Sequence, residues 1–142
     1  MKMNFQLNKT DMDIDIDYEE MVIREDLIYT YIRILEAQGE DIKLIQKQFD
    51  DLKNSFRHLV KDSKININNF YDEMVKSFNN PSNWNKTMNG LKQLNHSCEI
   101  LRNSVLSYSD VFRNKAAPLF KATVYSLILC NVVSKSLIIQ YS

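Results

Sequence analysis

The stretch NNPSNWNKTMNGLKQL, residues 79–94, holds the chain's only tryptophan, one of its two prolines and one of its two glycines. The residue before a proline avoids helical geometry, so Pro81 predicts the end of a short helix that precedes it. Ser82 or Asn83 can cap the next helix, because their side chains accept hydrogen bonds from free backbone N–H groups. From Trp84 onward, apolar residues recur at helical spacing for about six turns. This stretch therefore separates two helices.

The composition of the whole chain predicts an all-α fold. Two glycines and two prolines in 142 residues leave few of the turn residues that strands and hairpins need. Apolar residues recur instead at spacings of three and four, the period of a helix that is buried on one face. We predict helices over 18–38, over 40–61, around 70–78, from 84 to about 105, and one or two over 111–139.

The two ends of the chain differ in character. Residues 1–17 are rich in aspartate, and although residues 11–17 alternate as a strand does, we predict an acidic N-terminal tail that leads into the first helix. Gly39 is expected to end that helix as a C-terminal cap. Pro118 predicts that the last helix either starts late or kinks there. Residues 18–142 then form a single helical-bundle domain, whose length allows a sizeable core.

Charge and cysteine usage limit the partners and the compartment. Acidic and basic residues balance at 18 each, and no run of lysine and arginine forms a phosphate-binding stripe, so nucleic acid is not an expected partner. Cys98 and Cys130 lie in apolar stretches without a CxxC pair, which favours buried free thiols over a disulfide. The N-terminus lacks the pattern of a secretory signal. These features predict an intracellular protein that is not secreted.

The C-terminal segment over 124–139 is strongly apolar, but Asn131, Ser134 and Lys135 interrupt it. A membrane-spanning helix needs about 20 mostly apolar residues. The segment is shorter than that and carries a lysine, which favours a helix buried in the bundle over a membrane anchor. Contact with a membrane is left open at this point.

The residues of catalytic and metal sites are not arranged in any pattern that indicates an enzyme. The chain has too few glycines for a phosphate-binding loop, and it contains no HExxH or nucleophile-elbow motif. His58 falls beside the polar face of its helix and is expected to be solvated. His96 is followed by Ser97 and Cys98, but consecutive helical residues point about 100° apart and do not form a base and nucleophile pair. We predict no enzymatic activity, no metal and no cofactor.

Four stretches occur in a fixed order along the chain: an opening helix over 23–39, an amphipathic helix over 45–56 in which Asp50 follows an apolar residue by five positions, the tetrapeptide NWNK at 83–86, and a last region that starts at Asp110. This order resembles the B-cell lymphoma 2 (Bcl) family of apoptosis regulators, in which an Asn-Trp-Gly-Arg signature opens a central hydrophobic helix. The resemblance implies a Bcl-type bundle whose central hydrophobic helix is surrounded by amphipathic helices. Compact versions of this kind are similar to those carried by large DNA viruses.

In that family, an apolar groove accepts an amphipathic helix of a pro-apoptotic protein, and a basic residue pairs with an aspartate of the ligand. Carried over to this chain, the resemblance implies a peptide groove formed by Leu52, Phe56, Phe70, Met74, Phe78, Asn83, Lys86 and Met88. Lys86 would supply the cation, as a point charge and not as the fork of an arginine. Trp84 is implied to be a structural anchor. The same spacing also fits an ordinary core, in which neighbouring side chains cover these residues.

Two functions follow from the resemblance. The first is an inhibitor of apoptosis that binds the death-motif helices of pro-apoptotic Bcl family proteins in the groove. The second is a Bcl-fold interaction protein with a closed groove, which modulates host innate immune signalling through an outer face or a homodimer. Both place the protein in the host cytoplasm, and the first also places it at mitochondria.

Overall fold

A computed structural model describes the backbone of residues 2–7, 12–17, 23–63, 69–108 and 117–142, with side chains for 23–61, 69–108 and 118–142. Within these ranges the chain forms one β-hairpin and five α-helices. The elements are β1 (Lys2–Leu7), β2 (Met12–Asp17), α1 (Glu25–Ala37), α2 (Lys43–Ser63), α3 (Phe70–Phe78), α4 (Trp84–Ser107) and α5 (Ala117–Tyr141). The predicted helical bundle is confirmed for the part of the chain that follows the hairpin.

The N-terminal segment forms a hairpin where an acidic tail was predicted. β1 and β2 pair antiparallel, from Lys2 opposite Asp17 to Leu7 opposite Met12. β2 also contacts α5. Aspartate alternates with isoleucine in β2, which is the period of a strand, and this pattern outweighs the acidic character that suggested a tail. The fold is therefore a helical bundle that begins with a β-hairpin.

The helix ends follow from local residues. Gly39, just beyond α1, has a φ of 85°, a left-handed conformation that glycine adopts without strain, so its predicted role as a helix stop is confirmed. Asp41 stabilises the start of α2, because its Oδ1 accepts a hydrogen bond of 3.0 Å from the backbone N–H of Lys43, the first residue of the helix. Pro118 lies in the first turn of α5, where its missing N–H costs nothing. The choice between a late start and a kink depends on residues 109–116, which lie outside the described part of the chain.

The helix α4 lies between α2 and α5 and packs against both. The hydroxyl oxygens of Ser55 and Ser97 are 3.1 Å apart and share a hydrogen bond between α2 and α4. Nearer the start of α4, a Cβ placed on Gly90 would lie 2.9 Å from Leu59 Cδ1. Because residue numbers rise along α2 as they fall along α4, the two helices are antiparallel. Gly90 therefore allows a close approach of α2 to α4, because a larger residue would collide with Leu59.

The core is built from the inward faces of all five helices. Its fully buried members include Ile28, Tyr31, Ile32, Leu35, Leu52, Met74, Leu91, Leu94, Leu101, Val105, Val124, Ile128, Val133 and Leu137. The helix that is apolar nearly all round is α5, in which residues 126–131 are all buried. By contrast, α4 keeps a solvent-exposed face that includes Lys86, Lys92 and His96. α4 thus has a middle position in the bundle, although α5 is the more deeply buried helix.

The two cysteines link α4 to α5. Cys98 and Cys130 are paired as a disulfide, with Cα atoms 6.7 Å apart, and neither is exposed to solvent. The prediction of free thiols is therefore wrong. The reason is spatial: each cysteine lies on the buried stripe of its own helix, and the antiparallel packing of these stripes brings them opposite each other. Sequence spacing alone carries no signal for this pairing.

The polar residues that interrupt the C-terminal apolar segment are used in the bundle. Asn131, which is 2% exposed, accepts a hydrogen bond of 2.6 Å from Arg102 and donates one of 2.5 Å to Asn95 Oδ1. Lys135 is exposed, whereas Ser134 is buried. By length and composition, Pro118–Tyr141 is one helix that could cross a membrane, but 61% of its apolar window is buried in the bundle. In the structure this segment is a core helix.

Candidate protein-binding surfaces

The predicted peptide groove is filled by its own side chains. Among its apolar members, Leu52 and Met74 are fully buried, and those exposed by only a few per cent are Phe70, Phe78 and Met88. Only Phe56 is half-buried. The structure places these apolar residues in the core cluster of the bundle, with Phe56 packed against it. The alternative reading of this spacing, an ordinary core, describes their burial.

The short helix α3 is held on both sides by aromatic contacts. At its first residue, the Phe70 ring lies 5.9 Å from that of Phe56 on α2. At its last residue, the Phe78 ring stacks on Tyr141 of α5 at 4.5 Å and meets Trp84 edge-on at 6.5 Å. These contacts attach α3 to three other helices, with Phe70, Met74 and Phe78 buried.

A buried hydrogen bond also joins α3 to α4. The hydroxyl oxygens of Ser77 on α3 and Thr87 on α4 are 2.5 Å apart, and both residues are buried. A ligand helix that separated α3 from α4 would break this hydrogen bond, and a hydrogen bond of this kind contributes about 0.5–1.5 kcal/mol to stability.

The turn between α3 and α4 is built around Asn80. Asn80 Oδ1 accepts hydrogen bonds from the backbone N–H and the hydroxyl of Ser82, at 3.2 and 2.8 Å. Asn83 is the N-cap residue of α4, but its side chain makes no capping hydrogen bond, so that part of the prediction is wrong. Trp84 is half-buried and meets the Phe78 ring edge-on; its role as an anchor stays a prediction.

The cation predicted to pair with a ligand is free in this structure. Lys86 is exposed, and it has no ion pair within the part of the chain that the structure describes. Asn83, the other polar member of the predicted groove, is half-buried. Both lie at the first turn of α4, next to the buried apolar residues of the predicted groove.

An open cleft lies instead between α1 and α2, with a volume of about 540 Å³. We call it the α1–α2 cleft; its lining residues are Ile23, Glu25, Asp26, Phe56, Arg57, Val60 and Lys61. The floor is apolar, while the α1 rim is acidic and the α2 rim is basic. Phe56, a member of the predicted groove, thus lines this cleft.

Ion pairs organise the rim of this cleft. Arg57 Nη2 lies 3.2 Å from Glu25 Oε2 and joins α2 to α1. On α1 itself, Arg24 donates hydrogen bonds of 3.0 and 2.9 Å to the two carboxylate oxygens of Asp26. The hydrogen bond from Arg24 lowers the pKa of Asp26, because it favours the charged form of the carboxyl group. The carboxyl group of Asp26 therefore stays charged at neutral pH.

A second open space lies between α2 and α4, with a volume of about 420 Å³. We call it the histidine pocket, because both histidines of the chain line it; its lining residues are Gln48, Asp51, Asn54, Ser55, His58, Gln93, His96, Ser97 and Ile100. The sequence put His58 and His96 on different helices, and it gave no sign that they face one space. That juxtaposition needs the antiparallel packing of α2 on α4.

The described residues contain no group of three or more histidine, cysteine or acidic side chains that could hold a metal ion. Models of known protein families, curated proteins and solved structures were compared with the chain, and none matches it. The function of the chain is therefore inferred from its fold and from the surfaces described above.

Proposed function

We propose that this chain is an interaction protein with a closed groove, which acts through an outer surface on signalling proteins such as those of host innate immunity. One observation supports this choice over groove binding: Leu52, Met74 and Met88 pack in the core and present no apolar surface to a ligand. The resemblance to the Bcl family supplies the class of partner.

The cost of opening the groove supports the same choice. Exposing a buried leucine, methionine or phenylalanine side chain costs about 1.5–3 kcal/mol. A ligand helix that displaced α3 would expose Phe70, Met74 and Phe78 together before its own side chains covered them. Binding in the groove therefore requires an opening of the bundle that the ligand has to repay.

The α1–α2 cleft favours a second candidate function. In this function, the chain inhibits apoptosis by binding the amphipathic death-motif helices of pro-apoptotic Bcl family proteins at this cleft and not in the predicted groove. An apolar ligand side chain fits the floor formed by Ile23, Phe56 and Val60. An acidic ligand residue then meets Arg57 or Lys61 on the α2 rim, which is charge complementarity of the kind that orients a helix.

Calorimetry with a panel of death-motif peptides separates the two functions. The closed-groove proposal predicts no binding by the wild type up to about 10 μM peptide, a range in which a specific complex of micromolar affinity is detected. Sedimentation of the free protein in parallel shows whether the outer surface forms a homodimer.

Two charge reversals locate any binding that is found. Lys61→Glu alters the rim of the α1–α2 cleft, and Lys86→Glu alters the cation of the predicted groove; both residues are exposed, so both variants should fold. Binding that Lys61→Glu weakens and Lys86→Glu leaves unchanged would establish the second function. Binding that only Lys86→Glu weakens would mean that the predicted groove opens, and it would overturn both assignments.

A further inference from the structure

We propose that the histidine pocket binds a first-row transition-metal ion, such as Zn²⁺, Ni²⁺ or Cu²⁺, between His58 of α2 and His96 of α4. Two imidazoles on facing helices would act as one chelate. The site is independent of the proposed function, because it uses neither the predicted groove nor the α1–α2 cleft.

The helix packing places the two imidazoles at the same space. The hydrogen bond between Ser55 and Ser97 fixes the separation of α2 and α4 at this level. His58 follows Ser55 by three residues, so it lies on the same side of α2 about one turn further on. His96 immediately precedes Ser97. Both imidazoles line the same volume of about 420 Å³, one from each wall.

The two rings are free to coordinate. Both are exposed, and neither has a hydrogen bond or an ion pair within the described ranges of the chain. Neutral imidazole suits Zn²⁺, Ni²⁺ and Cu²⁺, whereas Mg²⁺ and Ca²⁺ prefer oxygen ligands. Side chains that are not held by other partners can rotate to bring two ring nitrogens to one ion.

Water is expected at the remaining positions of the ion, because among the described residues no third histidine, cysteine or acidic side chain is placed to coordinate with the two imidazoles. With two protein ligands and water at the other positions, the site is labile and reversible, unlike a structural zinc site with four protein ligands.

A metal ion in this pocket would tie α2 to α4. These helices carry Leu52 and Met88, two of the buried residues of the predicted groove. A ligand that binds the folded state and not the unfolded chain raises the stability of the fold. Metal binding at the histidine pocket should therefore raise the temperature at which the bundle unfolds.

Thermal unfolding of the full-length chain, free of any histidine tag, tests the site. We compare the wild type with His58→Gln, His96→Gln and the double variant, each with and without ZnCl₂ or NiCl₂, and use MgCl₂ as the control salt. Without metal, the four proteins should unfold at similar temperatures, because both histidines are exposed. With Zn²⁺ or Ni²⁺, only the wild type should gain several degrees, and each single variant should lose nearly the whole gain.

The loss in the single variants distinguishes a chelate from separate surface histidines. If each variant keeps about half of the gain, the imidazoles bind independently and the proposal is wrong. The same holds if the double variant keeps the gain, or if the wild type shows none. Electron paramagnetic resonance with Cu²⁺ gives a second readout: the wild type should show coupling to two imidazole nitrogens on one ion, and each single variant to one.

Discussion

The α4–α5 half and the α1–α2 half of the bundle are held together in different ways. Between α4 and α5, a disulfide and a buried hydrogen-bond network centred on Asn131 fix the helices in one arrangement. Between α1 and α2, an exposed ion pair from Arg57 to Glu25 spans an open cleft with an apolar floor. The difference indicates that the α4–α5 half contributes most to the stability of the bundle, whereas the α1–α2 half has an accessible surface that a partner can contact.

The largest expected effect is on the rigid half. Reduction of the Cys98–Cys130 disulfide should lower the free energy of unfolding by about 2–4 kcal/mol, because it removes a link that closes a loop in the unfolded chain. Urea titrations with and without a reductant measure this difference. The double variant Cys98→Ala, Cys130→Ala is the control and should not respond to the reductant. Equal stability of the oxidised and reduced wild type would show that the disulfide contributes nothing.

The polar network should be the next most sensitive feature of that half. Asn131→Ala removes the partner of both Arg102 and Asn95 and should cost about 1–3 kcal/mol, the penalty for buried polar groups that lose their hydrogen bonds. Lys135→Ala, on the exposed side of the same helix, is the matched control and should change stability by less than about 0.5 kcal/mol. If the two variants are equally stable, the network around Asn131 contributes nothing to the α4–α5 half, and this difference between the halves disappears.

A smaller effect, dependent on pH, is expected at Tyr31. Its hydroxyl donates a hydrogen bond of 3.1 Å to the carbonyl oxygen of Val105, and burial raises the pKa of its phenol. The folded protein therefore keeps a proton that the unfolded chain releases above about pH 10, so stability falls as the pH rises beyond that value. Tyr31→Phe should cost about 1 kcal/mol at pH 7. The difference from the wild type should shrink above pH 10, which urea titrations across this pH range measure.

The smallest effect is expected at the cleft. Arg57 and Glu25 are both solvent-exposed to a large degree, so Arg57→Ala should lower stability by only about 0.2–1 kcal/mol, and less in high salt. Titrations at low and high ionic strength check this. A loss as large as that from breaking the disulfide would mean that the α1–α2 half is as firmly held as the other half.

The sequence predicts the helices that have local signals. Pro81 marks the end of α3, Gly39 ends α1, and the apolar spacing after Trp84 predicts α4. The pairing of β1 with β2 was not predicted, because the alternating pattern of β2 competes with an acidic composition that also fits a tail. These outcomes depend on residues that are close in sequence.

The features that the sequence could not predict depend on contacts between distant residues. Helical spacing at Phe70, Met74 and Phe78 is the same for a groove wall as for a core, and only the packing of α3 on α2 and α5 distinguishes the two. The pairing of Cys98 with Cys130 likewise requires the register of α4 on α5. The candidate surfaces arise in the same way, from helices that meet in space.

The closure of the predicted groove is tested most directly by thiol labelling. Both native cysteines are paired in the disulfide, so a single cysteine introduced by Met74→Cys reports on α3 alone, and Lys86→Cys is the exposed control. Under native conditions, we expect Lys86→Cys to react with a thiol reagent on the order of 10³ times faster than Met74→Cys, because buried positions react only after the structure opens. Similar rates at the two positions would contradict the account and show that the groove is open.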